Sequence, residues 1–105
     1  MSFAPEFPKE QPRIYKYSFG YIDRGIITTK IEGSKLLNVL DIQEQGYDLV
    51  LWAEVDTAQK HDSSTIQIYS AWTGDPPPGE GWSYFKTIQS EVDGLVYHLY
   101  IKKNW

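Results

Sequence analysis

Cysteine is absent from the 105-residue chain. Without it there is no disulfide framework, no thiolate zinc site and no cysteine nucleophile, and redox chemistry says nothing of the compartment. No stretch is apolar for long enough to span a bilayer, and the opening MSFAPEFPKEQP has no basic region followed by an apolar run. Neither a membrane anchor nor a secretory signal is therefore expected, and the reading is a cytoplasmic protein with no membrane partner. Positive charge is scarce as well. Ten Lys and Arg face fourteen Asp and Glu, for a formal net charge of -4. That balance opposes binding of long nucleic acid, which needs a phosphate-neutralising face, but leaves room for a small anionic ligand held by a few local donors.

Aromatic residues are what the chain has in excess, 15% of its length with eight Tyr and four Trp. They direct attention to stacking or to large interfaces. Residues 1–12 hold three of the six prolines and read as a flexible N-terminal arm, leaving 13–105 as a single β domain. From Arg13 onward, Tyr15, Tyr17, Phe19 and Tyr21 alternate with Ile14, Lys16 and Ser18, as in a strand. Asp23-Arg24-Gly25 reads as a turn into a second strand, Ile26 to Ile31, so the first two strands are expected to form a hairpin. Lys35 to Gln45 is ambiguous. Leu36, Leu37 and Leu40 fit a helical stripe while Leu36, Asn38, Leu40 and Ile42 fit a strand; the absence of a helix cap and the Gln45-Gly46 turn that follows favour a strand.

Tyr47 to Asp56 continues as a strand with Leu49, Leu51, Ala53 and Val55 on one face, completing a central hairpin. A polar loop, Thr57 to Ser64, leads to a strand from Ile66 to Trp72, and Ser83 to Glu91 and Leu95 to Lys102 follow around an Asp93-Gly94 hairpin signal. About seven short antiparallel strands result, an all-β sandwich or barrel-like sheet. Several strands are apolar on both faces: Val96, His98 and Tyr100 oppose Tyr97, Leu99 and Ile101, and Val50 and Trp52 do likewise. A small domain cannot cover both faces of its sheets, so self-association as a dimer or tetramer is expected.

Ile66 to Trp82, IQIYSAWTGDPPPGEGW, is the candidate site segment. A strand runs into a stiff loop in which Trp72, Thr73, Gly74 and Asp75 offer a ring, a hydroxyl, an open backbone and a carboxylate on successive positions, before Pro76-Pro77-Pro78 restricts the path. The plainer reading is a strand connection. Flat ligands need π-faces, which Tyr15, Trp52, Trp72, Tyr84 or Trp105 supply, and phosphates need donors such as Arg13, Lys16, Arg24, Lys86, Thr73 and Thr87. Against this, aromatic residues on strands more often belong to cores or interfaces, and His98 within an aromatic strand reads first as a hydrogen-bonded structural histidine. Catalysis has little support. His61-Asp62-Ser63 cannot form a triad from adjacent positions, and no nucleophile elbow, phosphate-binding glycine loop or HExxH is present; Glu54 and Asp56 share a strand face and make a paired-acid site conceivable, but are equally the ordinary polar end of a buried strand. No metal or cofactor is implied.

The succession IYKY (Ile14 to Tyr17), KLLNVLDIQ (Lys35 to Gln43), LWAEVD (Leu51 to Asp56), TGDPPP (Thr73 to Pro78), YFKTIQ (Tyr84 to Gln89) and VYHLY (Val96 to Tyr100) resembles a family of very small phage and bacterial all-β proteins. Two departures stand out: Asp75 replaces the usual His after Thr-Gly, and Trp72 replaces a small residue. The family is similar to phage sponges that bind cyclic oligonucleotide signals of antiphage defence, such as cyclic GMP-AMP, without cleaving them. The resemblance implies a non-enzymatic sequestering protein for a cyclic di- or trinucleotide. Its ligand contacts would be drawn from Arg13, Tyr15, Lys16, Trp52, Trp72, Thr73, Gly74, Asp75, Lys86, Thr87 and His98. The alternative is a small β oligomer serving protein interaction.

Overall fold

The computed structural model describes residues 12–57 and 64–102. Residues 1–11 of the expected arm, the histidine loop His61-Asp62-Ser63 and Trp105 lie outside the described residues. Seven strands form: β1 (Arg13–Ser18), β2 (Gly25–Ile31), β3 (Lys35–Gln45), β4 (Asp48–Asp56), β5 (Ser64–Trp72), β6 (Trp82–Gln89) and β7 (Val96–Lys102). They make two antiparallel sheets, β1-β4-β3 and β2-β5-β7-β6, so the architecture is an open sandwich with no closed barrel. No helix among the described residues is long and apolar enough to cross a membrane.

Alternation buries one face of each sheet against the other. Leu49, Leu51, Ala53 and Val55 from β4 meet Ile66 and Ile68 from β5 and Tyr97, Leu99 and Ile101 from β7, all essentially inaccessible to water. Full burial of such side chains is worth about 1.5–3 kcal/mol each and is the main term holding the sheets together. The β3–β4 and β6–β7 hairpins form as the sequence implies.

The expected β1–β2 hairpin does not. β1 pairs with β4 and β2 pairs with β5, in different sheets. Phe19 N–H donates to the Leu49 carbonyl at 2.8 Å and Leu49 N–H to the Gly20 carbonyl at 2.7 Å, which carries the chain along β4 beyond Ser18 before it crosses over. At Gly25 a φ of 101° completes the change of direction. The Asp23-Arg24-Gly25 turn is thus a crossover between layers rather than a hairpin loop.

β3 explains its own ambiguity. Its register against β4 slips between Leu36 and Asn38 and again between Val39 and Asp41, each slip inserting one extra residue. The buried positions accordingly fall at Leu36, Val39 and Ile42, while Leu37 and Leu40 remain exposed. A three-residue spacing of inward residues imitates a helical stripe, but two bulges in a strand produce it.

Candidate functional site

Four strands present the outer face of the larger sheet. The register aligns Ile26, Tyr69, Tyr100 and Tyr84 in one row across β2, β5, β7 and β6, and Ala71, His98 and Thr87 in the next. Tyr100 meets Tyr84 at 5.6 Å and Tyr69 at 6.2 Å between ring centroids, both edge-on, and Tyr69 meets Trp82 at 5.8 Å. Such tilted contacts fix ring orientation through the edge-to-face preference of aromatic quadrupoles. Lys102 places its ammonium 5.6 Å from the Trp82 ring centre.

His98 is the hub of a hydrogen-bonded chain on this face. Its Nε2 lies 2.9 Å from Thr73 Oγ1 and its Nδ1 lies 3.0 Å from Thr87 Oγ1, which is 2.6 Å from the Tyr84 hydroxyl. A neutral imidazole donates from one nitrogen and accepts at the other, and the threonine hydroxyls rotate to match. Thr73 and Thr87, far apart in sequence, are held together by this ring. Around it opens a shallow hollow of about 370 Å³ lined by Ala71, Trp72, Thr73, Gly74, Asp75, Pro77, His98 and Tyr100.

The TGD turn that walls the hollow is braced from within. Asp75 N–H donates to the Trp72 carbonyl at 3.0 Å, and Asp75 Oδ2 accepts from Trp72 N–H at 2.9 Å and from Arg24 Nε at 3.0 Å. Gly74 stands between them with a φ of 101°, a left-handed conformation that a side chain would strain. The Arg24 guanidinium also lies 4.5 Å above the Trp72 ring, which meets Tyr97 at 6.3 Å, edge-on. Arg24, from the β1–β2 crossover, therefore pins the loop by charge and by cation–π contact. Tyr69 adds a hydroxyl donated to the Pro76 carbonyl at 3.3 Å.

The sequence-derived candidates fall into separate groups. Trp72, Thr73, Gly74, Asp75 and His98 meet at the hollow, and Thr87 joins them through His98. Within that group Trp72 packs inward against the core, Asp75 is occupied as a brace and His98 has both nitrogens engaged by threonines, so the outward ring belongs to Tyr100 and the polar contact to the Thr73 hydroxyl. Lys16 and Trp52 are register partners on the outer face of the other sheet, where the Lys16 ammonium lies 5.9 Å from the Trp52 ring and 2.7 Å from Gln45 Oε1. Arg13 and Tyr15 stand on the same strand as Lys16, also away from the hollow.

Lys86 lies elsewhere again. Its ammonium donates to Asp41 Oδ1 at 2.8 Å and to the Ile42 carbonyl at 2.9 Å, tying β6 to β3 across the two sheets. The hydrogen bond from Lys86 holds the Asp41 carboxyl below its ordinary range, against a smaller opposing effect of burial. Further along the same flank, Glu44 accepts from Ser90 Oγ at 2.6 Å and from Glu91 N–H at 2.8 Å. Asp93 accepts from the Tyr97 hydroxyl at 2.6 Å and from Leu95 N–H at 2.9 Å; the first of these is the larger cause that lowers its pKa. Burial, then the bond to Asp93, raises that of Tyr97.

Tyr69, Tyr100 and Trp82 complete the platform, and sequence reasoning did not single them out. A signal for them was present in the charge distribution. None of the fourteen Asp and Glu stands on β2, β5, β6 or β7, although those strands carry Lys30, Lys86, Lys102 and His98. Lys86 is paired with Asp41 and Lys30 with Glu32, so the positive charge this face can offer an anion comes mainly from Lys102, beside Trp82. The Thr73 and tyrosine hydroxyls offer polar contacts there, and the rings offer π-faces. No group of three or more His, Asp or Glu among the described residues is arranged to hold a metal ion.

No curated protein and no solved structure matches the chain. One family does, over residues 11–105, and the chain belongs to it: the family described as a Domain of unknown function (DUF7352).

Proposed function

We propose that the protein is a non-enzymatic binder that sequesters a small nucleotide, with the outer face of the β2-β5-β7-β6 sheet as its ligand surface. The observation that carries this reading is the union of an acid-free sheet with an aromatic row and a hydroxyl-histidine hollow. A nucleotide combines a flat base with negative charge, and these are the features such a face complements. The hollow is at the small end of ligand cavities, which span about 300–1,000 Å³. It suits one base with its sugar, and a cyclic di- or trinucleotide would extend beyond it over the neighbouring tyrosines.

The resemblance to phage sponges directs the choice of ligand toward cyclic oligonucleotide immune signals such as cyclic GMP-AMP, held in the host cytoplasm as an act of immune evasion. Sequestration is preferred to turnover because His98 meets the Thr73 and Thr87 hydroxyls at its two nitrogens and, among the described residues, no carboxylate orients it as the acid of a nucleophile–base–acid relay would. Self-association completes the reading, because Ile26 and Tyr84 remain 60% and 58% exposed at opposite ends of the tyrosine row. The test is calorimetric titration with a panel of cyclic di- and trinucleotides, followed by chromatography of the recovered ligand. Saturable binding of one class and return of the intact molecule are expected; no binding across the panel, or new products that depend on the protein, would overturn the reading. An apolar peptide binding at the same tyrosine row would instead place the protein among interaction modules.

A further inference from the structure

The two flanks of the sandwich are finished differently. On one, β3 carries two bulges and β6 one, so neither offers a regular edge, and the Lys86–Asp41 and Glu44–Ser90 contacts close the gap between them. Bulges and side-chain closure are the usual ways in which proteins blunt an edge strand. On the other flank, β1 and β2 are each paired, among the described residues, on one side only and without any register shift. β2 runs Gly25–Ile31 with no proline and no bulge, and its outward residues are Ile26, Thr28 and Lys30.

We propose that β2 is a self-association edge, pairing antiparallel with β2 of a second copy about a two-fold axis at Thr28, so that the two four-stranded sheets become one sheet of eight. Charge selects this partner and this direction. Arg24 precedes the strand and Glu32 follows it, so antiparallel self-pairing centred on Thr28 brings the Arg24 end of each copy beside the Glu32 end of the other. The same register sets the stem of Lys30 across from the exposed Ile26 of the second copy, where its methylenes cover apolar surface. Arg24 uses Nε for Asp75 and Glu32 pairs with Lys30 of its own strand at 3.4 Å, but the two side chains are 51% and 75% exposed, so each can add a contact across the axis. β1 is the poorer edge: Arg13 and Lys16 give its six residues charge of one sign. The pairing is isologous and closes, and it joins the aromatic rows of both copies on one face.

This inference stands apart from the nucleotide reading, and its test uses no ligand. The chain has no native cysteine, so Thr28→Cys introduces a single thiol at the proposed axis. Directly opposed residues of an antiparallel pair have Cβ atoms about 4.5–5.5 Å apart, near the span a disulfide bridges. Mild oxidation should convert most of the protein to a covalent dimer whose peptide map joins position 28 to position 28, while Tyr15→Cys on β1 should give little. Thr28→Lys, at an exposed position, should keep the β circular-dichroism signature and shift light scattering from twice the chain mass toward 12.2 kDa. A monomeric wild type at micromolar concentration, cross-linking at position 15 instead of 28, or a Thr28→Lys protein that stays dimeric would each overturn the proposal.

Discussion

The two sheets bury equivalent inner faces and present opposite outer ones. β3 and β4 carry Asp41, Glu44, Asp48, Glu54 and Asp56, whereas the four strands of the larger sheet carry no carboxylate at all. Both outer faces are aromatic, yet Trp52 stands beside a lysine already held by Gln45, among acidic neighbours, while Tyr100 borders a hollow lined by His98 and Thr73 whose one carboxylate, Asp75, is paired with Arg24. Aromatic content by itself therefore does not mark a site. On the reading proposed above, what distinguishes the larger sheet is polar geometry: its rings stand beside a histidine hydrogen-bonded to two threonines, an arrangement that the described residues of the smaller sheet do not repeat.

The core shared by both faces should respond most strongly. Leu99→Ala removes a fully buried side chain from the centre of the sandwich and should cost about 2–5 kcal/mol. Chemical denaturation should record that loss as a single transition. Two separate transitions would mean that the faces belong to independent units, and the comparison between them would lose its common frame.

A smaller effect is expected at the flank where the sheets are clasped. Glu44→Ala strands the buried Ser90 hydroxyl and the Glu91 N–H, which should cost about 1–3 kcal/mol. Glu44→Gln, which retains an acceptor, should recover part of it. Equal losses in the two variants would show that the carboxylate charge, rather than the hydrogen bonding, does the joining.

The Asp41–Lys86 link gives the smallest effect and a definite sign. Because the folded Asp41 pKa is depressed, its contribution is fully present above the unfolded value of about 3.9 and is lost as pH falls through the folded value. Wild type should therefore lose stability below about pH 4 more steeply than Asp41→Asn, with little difference in slope near neutrality. Both side chains are more than a quarter exposed, so solvent screening keeps the difference modest. Parallel acid limbs in the two proteins would contradict the link.

Strand positions were legible because alternation is local: Leu49, Leu51, Ala53 and Val55 announce their face without reference to any partner. Pairing was legible only where a short turn joins the partners, as in β3–β4 and β6–β7. β1 pairs with β4 across two intervening strands, and nothing in Asp23-Arg24-Gly25 distinguishes a crossover from a hairpin. The bulges of β3 were hidden for a related reason, since an inserted residue shows only against the register of a neighbour. At the candidate site, Thr73, Gly74 and His98 were identifiable from residue type and loop chemistry. Their convergence with Thr87 and Tyr100, and the bracing role of Asp75, depend on the order of strands within the sheet, which no local pattern encodes.

On the reading proposed above, the larger sheet's outer face, and not the smaller's, holds the ligand. Calorimetric titration of cyclic GMP-AMP into wild type, Tyr100→Ala and Trp52→Ala, side by side, tests it most directly. Tyr100→Ala should weaken binding by about 1–3 kcal/mol, the worth of one stacked base, and Trp52→Ala should leave affinity unchanged. The reverse pattern, with affinity lost at Trp52 and kept at Tyr100, would contradict the account.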